Sequence, residues 1–208
     1  MSSIYHDGNR QLQDRFDTRR LADRLEQGAV HDTIGEGDKA FIEARDMFFV
    51  ATADEDGQPN CSYKGGDPGF VRVVDEHTVA FPNYDGNGMY LSMGNLLKNP
   101  NVGILFVDFE GQRRMRLNGV ASIDERDPLM AKYPEAQFVV RVRAREVFPN
   151  CPRYIHHYQK VDPSAFVPRD GCETPVPDWK QSVAEHAPEL LSARDRELVA
   201  RRTEADPD

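Results

Sequence analysis

The sequence predicts a mainly β protein, a small antiparallel barrel of short strands with peripheral helices. Three observations lead there. Short apolar or alternating stretches recur between residues 47 and 148, separated by turn signals such as Asp56-Gly57 and Asp75-Glu76-His77. Helical periodicity is sparse in that region, and the charge lies mainly in the two ends of the chain. At 208 residues there is room for one domain with appendages, not for two full domains and linkers.

Residues 10–27 place Leu12, Phe16, Leu21 and Leu25 at steps of four and five, which predicts one charged helix with a narrow apolar stripe packed on the barrel or on a partner. After Gly35 and Gly37, Asp38 is expected to cap a short helix carrying Ala40, Phe41 and Ala44. The apolar, β-branched run 47–53 reads as a strand stopped by the hairpin turn 54–57, with a second strand at 59–64. A glycine-rich loop at 65–69 precedes strands at 70–74 and 78–81. A Gly/Asn-rich loop, 82–88, then leads into a helix through Met89, Leu91, Leu96 and Leu97, closed by Asn99-Pro100. Strand 102–107 follows.

Next, Arg114, Arg116 and Asn118 alternate with Met115 and Leu117, the period-two pattern of a half-buried strand. The run 137–148 repeats it, with Val140, Val142 and Ala144 against Arg141, Arg143 and Arg145. Short strands at regular spacing favour a small barrel. The expected division is an N-terminal helical extension (1–36), the barrel (37–150) and a partly helical C-terminal extension (151–208) that packs on the barrel or on a partner chain.

The formal net charge of −9 argues against a nucleic-acid partner, since phosphate backbones are held by basic footprints. The first sixteen residues are polar and acidic where a leader needs an apolar stretch, and no apolar run approaches ~20 residues, so the expectation is a cytoplasmic protein with no membrane partner. Cys61, Cys151 and Cys172 are widely spaced and form no Cys-x-x-Cys, which reads as small buried or loop thiols.

Among the motifs, residues 83–88 imitate the first half of a calcium loop, but the twelfth position is Gly94 instead of a bidentate glutamate. The stretch makes better sense as an anion or cofactor loop whose amides point at a phosphate from the start of the following helix, with an ordinary surface turn as the alternative. It lacks the third glycine and the alternating strand–helix setting of a dinucleotide fingerprint. Arg113, Arg114 and Arg116 form the densest basic cluster of the core, read either as a phosphate site or as a solvated strand face. His156-His157 has no third ligand at metal spacing, and no nucleophile elbow appears, so any catalysis is expected to rest on a cofactor.

Taken in order, FFVATADEDGQPNCSYKGGDPGFVRV (48–73), VAFPNYDGNGMYLSMGNLLKNPNVGILFVDF (79–109), RRMRLNGVASI (113–123) and VFPNCPRYI (147–155) resemble the flavin-binding split-barrel family related to pyridoxamine 5′-phosphate oxidase, over about residues 41–155. The resemblance implies a six-stranded antiparallel split β-barrel. It also implies a homodimer paired through the barrels, with flavin mononucleotide (FMN) in each cleft between the chains and the charged helical ends as wrapping elements.

Carried over residue by residue, Ser62, Tyr63 and Lys64 match the segment lining the flavin ring, and Pro82, Asn83 and Tyr84 the segment beside it. Asn87, Gly88 and Met89 fall where the oxidases place a serine and an Arg-Lys pair that grips the cofactor phosphate, yet Gly88 and Met89 supply no charge. Arg114 falls where those enzymes carry a glutamine, so the positive charge is expected to have moved to this strand, with Arg116 beside it. The oxidases' C-terminal tryptophan and arginine signature is missing, which argues against vitamin B6 oxidation, and Arg153 is placed to reach cofactor or substrate. The resulting reading is an FMN-dependent oxidoreductase for a small organic substrate or reduced nicotinamide, with no catalytic residue and no metal ligand assigned. Three alternatives stay open: a non-catalytic flavin-binding or sensing module, deazaflavin F420 as cofactor because the loop lacks its Arg-Lys pair, and a haem-handling barrel.

Overall fold

The computed structural model describes residues 3–205; residues 1–2 and 206–208, which belong to the extensions expected at either end, lie outside the described residues. The chain forms two compact units, the first running to Pro163 and the second beginning at Ser164.

Unit 1 is built on one antiparallel sheet of β1 (Met47–Ala53), β2 (Pro59–Gly65), β3 (Arg72–Asp75), β4 (Thr78–Asn83), β5 (Asn101–Asp108), β6 (Arg113–Asp124) and β7 (Phe138–Asn150). Their order is β2-β1-β5-β6-β7-β4-β3, a split-barrel arrangement of the expected mainly β class with helices at its periphery. Seven strands stand where six are expected, and β2 and β3 end the sheet without pairing to each other among the described residues. The sequence pattern itself marks seven strand stretches, and six is what the family resemblance implies; the thirteen residues of β7 pair with β6 along most of their run and with β4 over 138–143, so one strand serves both halves of the sheet.

The pleat sends every second side chain inward. Phe48, Val50, Phe81, Ile104, Phe106, Leu117, Val140 and Val142 are essentially inaccessible. The Phe48 ring lies 4.9 Å edge-on from Phe81, 5.6 Å from Phe106 and 5.7 Å stacked from Phe70, which joins both halves of the sheet in one apolar core. The β1–β2 hairpin turns as the sequence predicts: Asp54 Oδ1 accepts from the amides of Asp56 (3.0 Å) and Gln58 (2.8 Å), and Gly57 takes φ 83°.

Several local expectations are corrected. The single N-terminal helix is two helices, α1 (Asp7–Arg15) and α2 (Arg19–Ala29), broken where Asp17 takes φ 51°. Its apolar residues do not pack on the barrel: Leu12, Phe16, Leu21 and Leu25 stay 52–68% exposed. In α3 (Glu36–Glu43) the cap is Gly35, and Asp38 acts from the third helical position, its carboxylate accepting from Gly35 N at 3.0 Å and lying 2.9 Å from His31 Nε2. The helix expected from Met89 begins two residues later, as α4 (Leu91–Lys98). All three cysteines are exposed, Cys61 within β2. No helix among the described residues is long and apolar enough to cross a membrane.

Unit 2 packs α5 (Asp178–His186) on α6 (Ala193–Ala205) around a buried ion pair, Lys180 Nζ donating to Asp195 Oδ1 at 2.5 Å. Burial alone raises the Asp195 pKa, but hydrogen bonds from Lys180 and Ser192 outweigh it and hold the carboxyl below the usual carboxylate range. Because the folded value is depressed, the pair stabilises unit 2 above the unfolded value of ~3.9 and ceases to as pH falls through the folded one. The expected result is amide-exchange protection in α5 and α6 that persists at pH 5 and is lost in stronger acid, and that in Asp195→Asn is already weakened at neutral pH.

Candidate functional site

The meander brings seven of the twelve cofactor candidates to one place. β2 passes beside the exit of β4 and the start of α4, and between them lies an open groove lined by Ser62, Lys64, Asn83, Tyr84 and the segment 86–93. Opposite Ser62 and Lys64 on β1 stand Val50 and Phe48, both fully buried, so the two polar side chains occupy the core face of β2 at its rim.

Polar contacts fix the groove's walls. Ser92, 4% exposed, donates to Asn60 Oδ1 at 2.8 Å and shares a short hydroxyl–hydroxyl hydrogen bond with Ser62. Asn95 Nδ2 donates to Thr52 Oγ1 at 3.1 Å. Together these pin the first turns of α4 to β2 and β1. Asn83 Nδ2 donates to Gln137 Oε1 at 2.9 Å and to the Tyr84 carbonyl at 3.2 Å, which fixes the exit of β4.

The lining is rich in donors and holds no carboxylate among its described residues. Tyr90, with φ 49°, precedes α4 without a side-chain cap, leaving the amides of the first turn free of side-chain partners. Lys64 has no ion pair or side-chain hydrogen bond among the described residues, and burial pulls its pKa below the ordinary lysine value. Tyr84 is pushed up to about 12, chiefly by burial and then by nearby Tyr133, Asp67 and Glu135, so its phenol is a neutral donor. An uncompensated ammonium beside uncapped helix amides suits an anionic ligand. The cavity volume is about 160 Å³, well below the roughly 300–1,000 Å³ of sites that enclose a cofactor-sized molecule. By itself the groove is too small to enclose such a molecule.

Of the residues expected to touch a cofactor, Ser62, Lys64, Asn83, Tyr84, Asn87, Gly88 and Met89 meet at this groove. Pro82 is buried in β4 behind it, opposite Val139. The other four lie elsewhere. Tyr63 alternates to the outer face of β2, its ring 6.1 Å edge-on from Phe49. The same row runs from Phe49 through Leu105 to Arg116 and Phe148, so Arg116 shares the outer face with Tyr63. Arg114, two residues earlier on that face, donates from Nε to the Cys151 carbonyl at 2.9 Å, while Arg116 is exposed without a side-chain hydrogen bond among the described residues. Arg153 is exposed beyond β7, away from the groove.

Sequence reasoning missed Asn60, Tyr90 and Ser92. A polar Asn60-x-Ser62 alternation facing an otherwise apolar sheet was the available signal for the first. The left-handed Tyr90 had none, because φ above zero is rare for tyrosine.

Comparison with solved structures finds similar chains, all at low identity. HupZ from Group A Streptococcus is 21% identical with a TM-score of 0.46, over 61% of this chain and 99% of that one. An FMN-binding protein from Syntrophomonas wolfei subsp. wolfei is 11% identical with a TM-score of 0.42, over 68% and 97%. HutZ, a haem storage protein from Vibrio cholerae, is 20% identical with a TM-score of 0.38, over 57% and 91%. No curated protein matches the chain. The family profile described as pyridoxamine 5′-phosphate oxidase matches residues 35–164, the barrel and the whole groove, and the chain accordingly belongs to that family.

Proposed function

We propose that this protein binds FMN in a cleft completed by a second copy of the chain, and that it is an oxidoreductase for a small organic substrate. The carrying observation is the division of the donors across one sheet. The groove holds one uncompensated lysine and the uncapped start of α4 on the core face, whereas Arg114 and Arg116 stand on the outer face. Those arginines reach a molecule in the groove only from another chain. In this arrangement the α4 amides and Asn87 hold the phosphate, and Ser62 and Lys64 border the ring. Arg116 of the second copy supplies the charge that Gly88 and Met89 do not. When bound, the flavin supplies the redox chemistry; the chain's own residues bind it, orient it and limit water around it.

The test is the absorption spectrum of the freshly purified protein, mass identification of any released pigment, and FMN titration with the sedimentation coefficient followed in parallel. Flavin bands on a dimer are expected. A deazaflavin or a haem spectrum replaces FMN in this reading, and a colourless monomer that ignores added FMN overturns it. If FMN binds but no electron donor stimulates its reduction, the oxidoreductase part fails and a binding module remains.

Lys64→Met separates binding from stability. Removing a partly desolvated ammonium that has no partner is expected to raise the stability of the empty protein by about 1 kcal/mol while weakening FMN binding roughly tenfold. Urea unfolding and FMN fluorescence quenching read the two effects.

A further inference from the structure

The α1–α2 hairpin is built inside out. Between the helices lie polar contacts: Arg10 donates to Asp23 at 2.6 Å, and the hydroxyl of Tyr5, just before α1, donates to the Ala22 carbonyl at 3.2 Å. Ala22 is the only buried residue of the two helices. The apolar side chains, Leu12 with Phe16 at the C-cap of α1 and the i,i+4 pair Leu21 and Leu25 of α2, stay exposed outside that contact. Helices of nine and eleven residues are marginal in water on their own, and exposed ion pairs contribute little. Their stability calls for a cover over the apolar faces, and the rest of unit 1 leaves them open.

The hairpin's exit is fixed. His31 and Val147 exchange two backbone hydrogen bonds, 3.1 and 2.7 Å, at the β7 edge, immediately beside Phe148, which ends the outer-face row of Tyr63, Phe49, Leu105 and Arg116. That row is also uncovered: Tyr63 is 61% exposed and Phe49, Leu105 and Phe148 are half-buried. One chain thus carries two neighbouring apolar surfaces that lack a partner, and a twofold pair covers both at once. The four hairpin side chains expose on the order of 400 Å², taking roughly 150–250 Å² for a large side chain. This is about half of the ~800 Å² that each partner contributes to a stable interface, and the sheet face supplies apolar area toward the rest.

We propose that the hairpin is a clasp, laid by each copy on the exposed outer sheet of a second copy. This rests on the dimer of the preceding section and adds the segment that closes it. The test compares full-length protein with Leu21→Asp/Leu25→Asp and with Arg24→Glu, a control on an exposed polar position of the same helix. Sedimentation is followed over a concentration series, with urea midpoints to verify that the barrel stays folded. Tryptic cleavage at the hairpin arginines is measured in parallel.

The double variant is expected to dimerise at least tenfold more weakly, with the control unchanged. Hairpin cleavage is expected to slow with rising concentration in the wild type and the control, but not in the double variant. A double variant that dimerises like the wild type overturns the clasp and leaves the shared cleft standing. A wild type that stays monomeric at every concentration overturns both.

Discussion

Gly119→Ala is expected to lower the stability of unit 1 by at least ~3 kcal/mol, the large end of the overpacking range. A Cβ at this position lies 2.3 Å from the Arg143 carbonyl oxygen and 2.8 Å from Val142 Cγ1, distances that real contacts do not reach. The obstacle is mainly backbone, so no side-chain rotation relieves it. The β6–β7 register also shifts between Asn118 and Gly119, where two strands approach closely in the middle of the sheet. Spreading them breaks ladder hydrogen bonds and opens the core beside Val142 and Ala144. Urea unfolding measures the effect, and an unchanged midpoint shows that the strands part at no cost.

The second large effect is a rescue. Lys64→Met damages the groove and Arg116→Ala damages the outer face, so each variant alone is expected to retain FMN at least tenfold more weakly, a loss of ~1.4 kcal/mol or more. If both residues served one site within a chain, mixing the variants would restore nothing. Under the two-copy reading, a chain with an intact groove meets a partner with an intact Arg116. Co-expression with two affinity tags should then recover roughly a quarter of the sites at wild-type affinity, one per mixed dimer. Binding by the doubly tagged species that is no better than that of either parent defeats the assignment of Arg116 to the second copy.

The strand pattern was legible because it rests on period-two burial. The Val140, Val142 and Ala144 face is buried as predicted, and Met115 and Leu117 oppose Arg116. All seven strand stretches were legible, and the count of six came from the family resemblance; the pairing was less so, because nothing local in residues 138–150 tells that one strand will pair with two others at once. The N-terminal break at Asp17 went unseen for a similar reason: a left-handed aspartate leaves no mark on apolar spacing. At the site, alternation along β2 already separates Ser62 and Lys64 from Tyr63, but a segment carried over whole hides that division. The distance of Arg114 and Arg116 from the groove follows from the register of four adjacent strands, information that no single stretch of sequence contains.

If the site is shared between two copies as proposed, a ligand cage split between the two sides of one sheet ties loading to abundance. Each molecule of FMN bound favours pairing, and each pairing event favours capture, so pigment content is expected to fall on dilution even with FMN held in fixed excess over the chain. Under that proposal the yellow fraction of the protein reports its own concentration.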